Sequence, residues 1–212
     1  MATRQTRWDN SAFFSNSDDP KLAAAVETLR TDIAALSSHC EQFTTLIDKP
    51  PVSSEFPNII KQLEEAHRRQ LLISRSLGNA SMFNHSCLSV NARDAAAGTW
   101  LPTLQQLSAQ LKNAMHPMFG YLARADEKII LSMTENSVLE ELSFQIPQLR
   151  EMSDQLLAVE QEQLLTRMAV TGLHGWGNLY KNLSGTLQCT VGNEQLGPVS
   201  YTHLTLPTIL LV

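Results

Sequence analysis

Apolar residues in the first half of the chain recur at alternating spacings of four and three. Leu22, Val26, Leu29, Ile33, Leu36, Cys40, Phe43 and Ile47 form one such series. This heptad rhythm places a continuous seam on one face of an α-helix. It is sustained over about 28 residues, roughly 42 Å of helix. Asp18-Asp19-Pro20 supplies the start: carboxylates that accept from unpaired first-turn amides, then a proline whose missing N–H costs nothing there. Pro50-Pro51 supplies the stop, because neither residue donates to a helix and each pushes its predecessor out of the α region. A second seam follows at once through Phe56, Ile59, Leu63, Ala66, Gln70, Ile73, Leu77 and Ala80, with Gln70 as its polar exception. Two seams joined by a short proline turn predict an antiparallel helical hairpin.

From Gly78 to Ala97 the pattern decays into small residues, which predicts a bend or break. A third helix is expected from Trp100 through Leu104, Leu107, Leu111, Met115 and Met118 to Leu122, with Pro102 in its first turn and a kink at Pro117. Beyond Asp126 the expected helices are shorter. One runs from Thr134 to about Ser153 with an interruption near Pro147. A second runs from Leu157 to about Ala169, and a third follows Gly172 with Trp176, Leu179, Tyr180 and Leu183. Thr186 to Val191 alternates and is β-branched, and Gly192-Asn193 reads as a turn, so a β-hairpin is expected near residues 185–197. The fold class is therefore mainly all-α. The hairpin occupies about 20–97, and a bundle of shorter helices about 99–170. No fixed period of solenoid type is present.

Composition narrows the function classes. Of 212 residues, 43% are hydrophobic and only 17% charged, so polarity comes from Ser, Thr, Asn and Gln. The net charge of −5 argues against nucleic acid, whose phosphates call for a basic footprint. Cys40, Cys87 and Cys189 are an odd, widely spaced set, unlike a disulfide framework and suited to a reducing compartment. Arg4 and Arg7 are followed by Trp8-Asp9-Asn10 instead of an apolar stretch, and no run approaches a membrane span. The expectation is a soluble, cytoplasmic protein.

Sites with recognisable spacing are missing. There is no His-Glu-x-x-His, no Gly-x-x-x-x-Gly-Lys-Ser/Thr, no Gly-x-Gly-x-x-Gly and no Gly-x-Ser-x-Gly. Glu64 and His67 share a helix face, as in di-metal carboxylate bundles, but the second Glu-x-x-His that such a site needs is absent. A solvated helix face is the plainer account. His85 and Cys87 could share a metal, yet no second close pair exists, which favours a buried or capping role. His174-Gly175-Trp176-Gly177 has the look of a ligand-gripping loop. The simpler expectation is that Trp176 packs a helix start while the glycines supply the turn. No catalytic or metal-binding residue can be assigned, and substrate-binding residues stay unknown.

Arg7-Trp8-Asp9-Asn10-Ser11-Ala12-Phe13-Phe14 resembles the Arg-Trp-Asp-Leu-Ser-x-Leu-Phe opening of the oligoendopeptidase F branch of the thimet-oligopeptidase-like zinc metallopeptidases. Leu157 to Leu183, LAVEQEQLLTRMAVTGLHGWGNLYKNL, is similar to that family's Glu-rich helix, Leu-Leu, Thr-Gly break and Trp-x-x-Leu-Tyr-x-x-Leu. Order and spacing agree from about Arg7 to Gly192. One departure stands out: Asp154-Gln155-Leu156-Leu157 replaces the family's Pro-His-x-Leu, so that histidine's role does not carry over.

The resemblance implies an N-terminal fragment of a longer enzyme. Its zinc, its His-Glu-x-x-His and its glutamate ligand would lie in a missing C-terminal catalytic domain, leaving this chain inactive and without bound metal. Residues 1–172 would form the N-terminal helical domain and 173–198 the start of the next lobe. The helices would line a channel that admits short peptides, with neither nucleic acid nor membrane as partner. The alternative is a free-standing helical-hairpin interaction module. The last fourteen residues, Val199 to Val212, carry no charged side chain, and VSYTHLTLPT resembles translated sequencing adapter. Native sequence is therefore expected to stop near Gly197 or Pro198.

Overall fold

The computed structural model describes residues 10–134, 138–152, 155 and 157–205. Arg4, the Arg7-Trp8-Asp9 part of the opening motif, Ser153, Asp154, Leu156 and residues 206–212 of the uncharged tail lie outside the described residues.

Helix α1 spans Pro20–Cys40. Asp19 caps it, accepting from the Lys21 amide at 2.9 Å and, through its other oxygen, from the Ser15 amide at 2.8 Å. Its buried residues are those of the first seam, Leu22 through Cys40. The seam outlasts the helix. A break at Glu41 separates α1 from α2 (Gln42–Asp48), where the Gln42 side-chain amide donates to the His39 carbonyl at 2.7 Å. Phe43 still falls on the seam and is fully buried. After the Pro50-Pro51 turn, a short 3-10 turn (Ser53–Glu55) leads into α3, Phe56–Val90, about 52 Å long. Helices α1 and α3 pack antiparallel. The His39 ring meets the Gln62 carbonyl at 3.1 Å near the turn, and Phe14 meets Phe83 edge-on at 5.2 Å at the other end.

The bend expected from Gly78 to Ala97 is confined to four residues. Helix α3 continues through Gly78 to Val90 because Phe83 and Asn84 extend the buried stripe of Leu77 and Ala80. Ser86 and Ser89 turn their hydroxyls back onto the Met82 and His85 carbonyls, which keeps small polar residues compatible with a helix. Helix α4, Ala95–Arg124, then begins five residues before Trp100, so Pro102 lies beyond its first turn. Asp94 caps it, accepting from the Ala97 amide at 2.9 Å and from the Ser17 hydroxyl at 2.9 and 3.0 Å. Trp100 donates its indole N–H to the Ser17 carbonyl at 3.0 Å, tying the entry of α1 to the entry of α4.

Helix α4 is the centre of the core, packing on α1, α2 and α3 with Leu104, Leu107, Leu111, Met115, Met118 and Leu122 buried. Helix α5 (Glu127–Thr134), not foreseen as a separate element, buries Ile129 and Met133 against the same core. A 3-10 turn (Glu140–Leu142) precedes α6, Gln145–Glu151. Pro147 sits in the first turn of α6 and does not interrupt it, since first-turn amides have no intrahelical acceptor to lose. Helices α7 (Val159–Thr171) and α8 (Leu173–Thr186) follow. The strand expected from Thr186 is shorter, because Thr186 closes α8. Strands β1 (Cys189–Val191) and β2 (Glu194–Leu196) pair antiparallel, Cys189 opposite Leu196, around a left-handed Gly192 with φ 62°. Helix α9 covers Pro198–Thr205. No helix among the described residues is long and apolar enough to cross a membrane.

The two caps set the acid response. Backbone amides of Ser15 and Lys21 hold the Asp19 carboxyl below the usual range, and the Ala97 amide and Ser17 hydroxyl do the same for Asp94. Depressed folded values mean that this stabilisation is full above the unfolded carboxyl value, about 3.9, and is lost as pH falls through the folded values. Asp94→Ala is expected to cost about 1–2 kcal/mol at neutral pH. Urea unfolding followed by circular dichroism should show this difference shrinking below pH 4; a difference unchanged into that range would count against it.

Candidate functional site

Helices α7 and α8 lie on α4 through polar side chains. Pro117 has no N–H for the Asn113 carbonyl one turn earlier, and the Gln163 side-chain amide donates to that carbonyl at 3.3 Å. Beside it the His116 ring meets the Thr166 hydroxyl at 3.2 Å. Burial, assisted by Lys112, lowers the pKa of His116 against the opposing pull of Glu162. One α-helix further on, Gln105 and Asn178 exchange amide hydrogen bonds of 3.2 and 2.8 Å.

The opposite faces of these two helices are apolar and open. In α8, Leu173, Trp176, Tyr180 and Leu183 recur at three and four residues, the first three of them 73–76% exposed. Leu164, Leu165 and Met168 continue this surface on α7 and are about half exposed. The usual amphipathic arrangement is inverted, with amides facing the bundle and hydrocarbon facing outward.

A cleft of about 890 Å³ opens between α1, α4 and α7. Gln106, Gln110 and Asn113 line it along one face of α4, Arg30 and Ser37 come from α1, and Arg167 and Thr171 from α7. Ile33, Ala109 and Val170 supply apolar floor. Arg30 is partly engaged by Glu27 at 3.3 Å, and Arg167 donates to the Gln163 carbonyl at 3.4 Å. No Asp or Glu is among the residues lining it. The Asn113 side-chain oxygen is buried with no hydrogen-bond partner.

The motifs singled out from sequence lie elsewhere. Glu64 bonds Arg68 at 2.9 Å, while His67 is buried against Gln70 at 3.0 Å, with Glu141 at 3.6 Å. The pair therefore does not converge, and His67 leaves the solvated face expected for it because α3 turns it under Glu141 of the 3-10 turn. His85 is exposed and Cys87 half-buried. Burial and then the Asp94 charge push the Cys87 thiol up, away from the thiolate that a metal requires. Zinc takes three or four protein ligands, and among the described residues no group of three His, Cys, Asp or Glu comes together; these side chains do not fit the ion.

His174-Gly175-Trp176-Gly177 forms neither a loop nor a packed helix start. It lies inside α8, with Trp176 73% exposed. The break belongs to Gly172, where an added Cβ would come within 3.0 Å of the Met168 carbonyl oxygen. The inward amides Gln105, Gln163 and Asn178 escaped sequence reading because polar residues carry no burial signal. Only the apolar period of α8 hinted that its other side must face the bundle.

Fold and site together define a helical wall, with a polar-bonded outer layer and an uncovered apolar face. Residues 122–188, from the end of α4 through α8, match the family model for the N-terminal part of Oligopeptidase F. That match covers about a third of the chain and supports the oligoendopeptidase F branch. No curated protein and no solved structure matches the chain.

Proposed function

We propose that this chain is the channel-wall and substrate-access part of a cytoplasmic, zinc-dependent oligopeptidase that hydrolyses short peptides. The observation that carries the reading is the coincidence of two things on one segment. The residues that match Oligopeptidase F include α7 and α8, whose apolar seam has no cover among the described residues. A wall that faces a second lobe has that form: bonded to its own bundle on one side and apolar on the other. The zinc ion belongs to residues beyond this sequence, and this chain's share is to shape entry and hold the peptide. The interaction-module alternative has less to use, because the two seams of the hairpin are buried against each other and α4.

Genomic DNA read past the codon for Pro198 provides the test. The expected result is a downstream His-Glu-x-x-His in frame, zinc-dependent cleavage of a fluorogenic peptide by the extended product, and none by this chain. A gene that ends at Val212, or cleavage by this chain itself, would overturn the proposal.

A further inference from the structure

The cleft between α1, α4 and α7 combines two guanidinium groups, no carboxylate in its lining and a partly apolar floor. Arg30 and Arg167 enter from different helices, so the positive character belongs to the cleft and not to one helical face. Along α4, Gln106, Gln110 and Asn113 stand at spacings of four and three on a single face. They cover about 10 Å of helix axis. Extended peptide advances about 3.3 Å per residue, so that row matches about three residues. Amide side chains both donate and accept, as a peptide backbone does.

We propose that this cleft binds the C-terminal end of a short, apolar peptide. The free carboxylate is taken by Arg167 and Arg30, the backbone lies along the α4 amides, and the side chains rest on Ile33, Ala109 and Val170. Guanidinium is suited to the planar carboxylate, which it can hold through two parallel N–H bonds. The row of amides selects a peptide over a fatty acid, which has no backbone groups to pair with them. Glu27 competes with the ligand for Arg30 and sets a ceiling on the arginine's contribution.

The proposal rests on the preceding section for short peptides as ligand, but it is tested on binding alone. The full 212-residue chain is titrated calorimetrically with trileucine, with trileucine amide and with octanoate. Trileucine is expected to bind about ten-fold or more tighter than its amide, the share of a charge-assisted bond. Arg167→Ala and the exposed Arg30→Ala should each reduce that preference, while Glu27→Gln should raise it. Circular dichroism on the same samples reports folding; if Arg167→Ala does not fold, Arg30→Ala carries the test. Equal affinity for acid and amide, a preference that survives both arginine variants, or no binding would overturn the proposal. Octanoate binding as tightly as trileucine would overturn the choice of a peptide. Failure here with an active extended enzyme removes only the cleft assignment. Carboxylate-selective binding beside an inactive extended product removes only the enzymatic reading.

Discussion

Phe43→Ala is expected to lower the unfolding free energy by about 3–5 kcal/mol, the range for truncating a buried phenylalanine. Its ring is fully buried, lies nearly parallel to Tyr121 at 6.0 Å and edge-on to His39 at 6.4 Å. Helix α2 is only seven residues long and carries no side-chain cap. Without this ring it loses its main anchor to α4. The surroundings cannot close over the space readily, because Tyr121 is itself buried in the core. Phe43→Leu keeps part of the volume and should cost less than half as much. Urea denaturation monitored by circular dichroism and by fluorescence checks both values. A loss below about 1 kcal/mol would mean that α2 is an appendage of the core.

The opposite outcome is expected on α8. Replacing Trp176, Tyr180 and Leu183 together by Gln should change stability by no more than about 0.5 kcal/mol per site, since exposed side chains contribute little to folding. Its effect should fall on association. The unaltered chain presents a row of hydrocarbon at helical spacing beside Leu164, Leu165 and Met168 on α7, which is more apolar surface than a monomer ordinarily leaves open. Sedimentation is therefore expected to show the native chain self-associating and the triple variant largely monomeric at the same concentration. On the proposed function, the same substitutions in the extended product should remove most peptidase activity, because the face would then meet a second lobe with polar groups. A native chain that sediments as a monomer, or an extended triple variant with full activity, would separate the α8 face from any interface.

How much of this could be read beforehand depended on whether burial left a period. The first seam placed every buried apolar residue of α1, and the second placed Ile59, Leu63, Ala66, Ile73, Leu77 and Ala80 on α3. Capping chemistry located the start of α1, and the Gly192-Asn193 turn located the β-hairpin. Small residues misled: Gly78 and the serines after it looked like a breaker, but one phenylalanine and one asparagine kept the stripe going. Pro102 misled in the other direction by pulling the expected start of α4 toward it, when Asp94 was the cap. The cleft was not legible. Arg30, Gln110, Asn113 and Arg167 are drawn from three helices with up to eighty positions between neighbours, and no spacing rule joins them. The resemblance points to the oligoendopeptidase F branch through α7 and α8 and assigns no role to Arg167, Val170 or Thr171, which line the cleft.

By leaving the Asn113 carbonyl without its helical donor, Pro117 gives α7 a fixed point to bond, and Thr166 and Asn178 add two more. Directional bonds of this kind fix the register of a helix, yet bury little hydrocarbon. The outer pair of helices is thus well registered but lightly fastened, a unit able to open while the bundle beneath stays closed. Amide protons of α7 and α8, which add no residue to the buried core, should then exchange with solvent long before those of α1, α3 and α4.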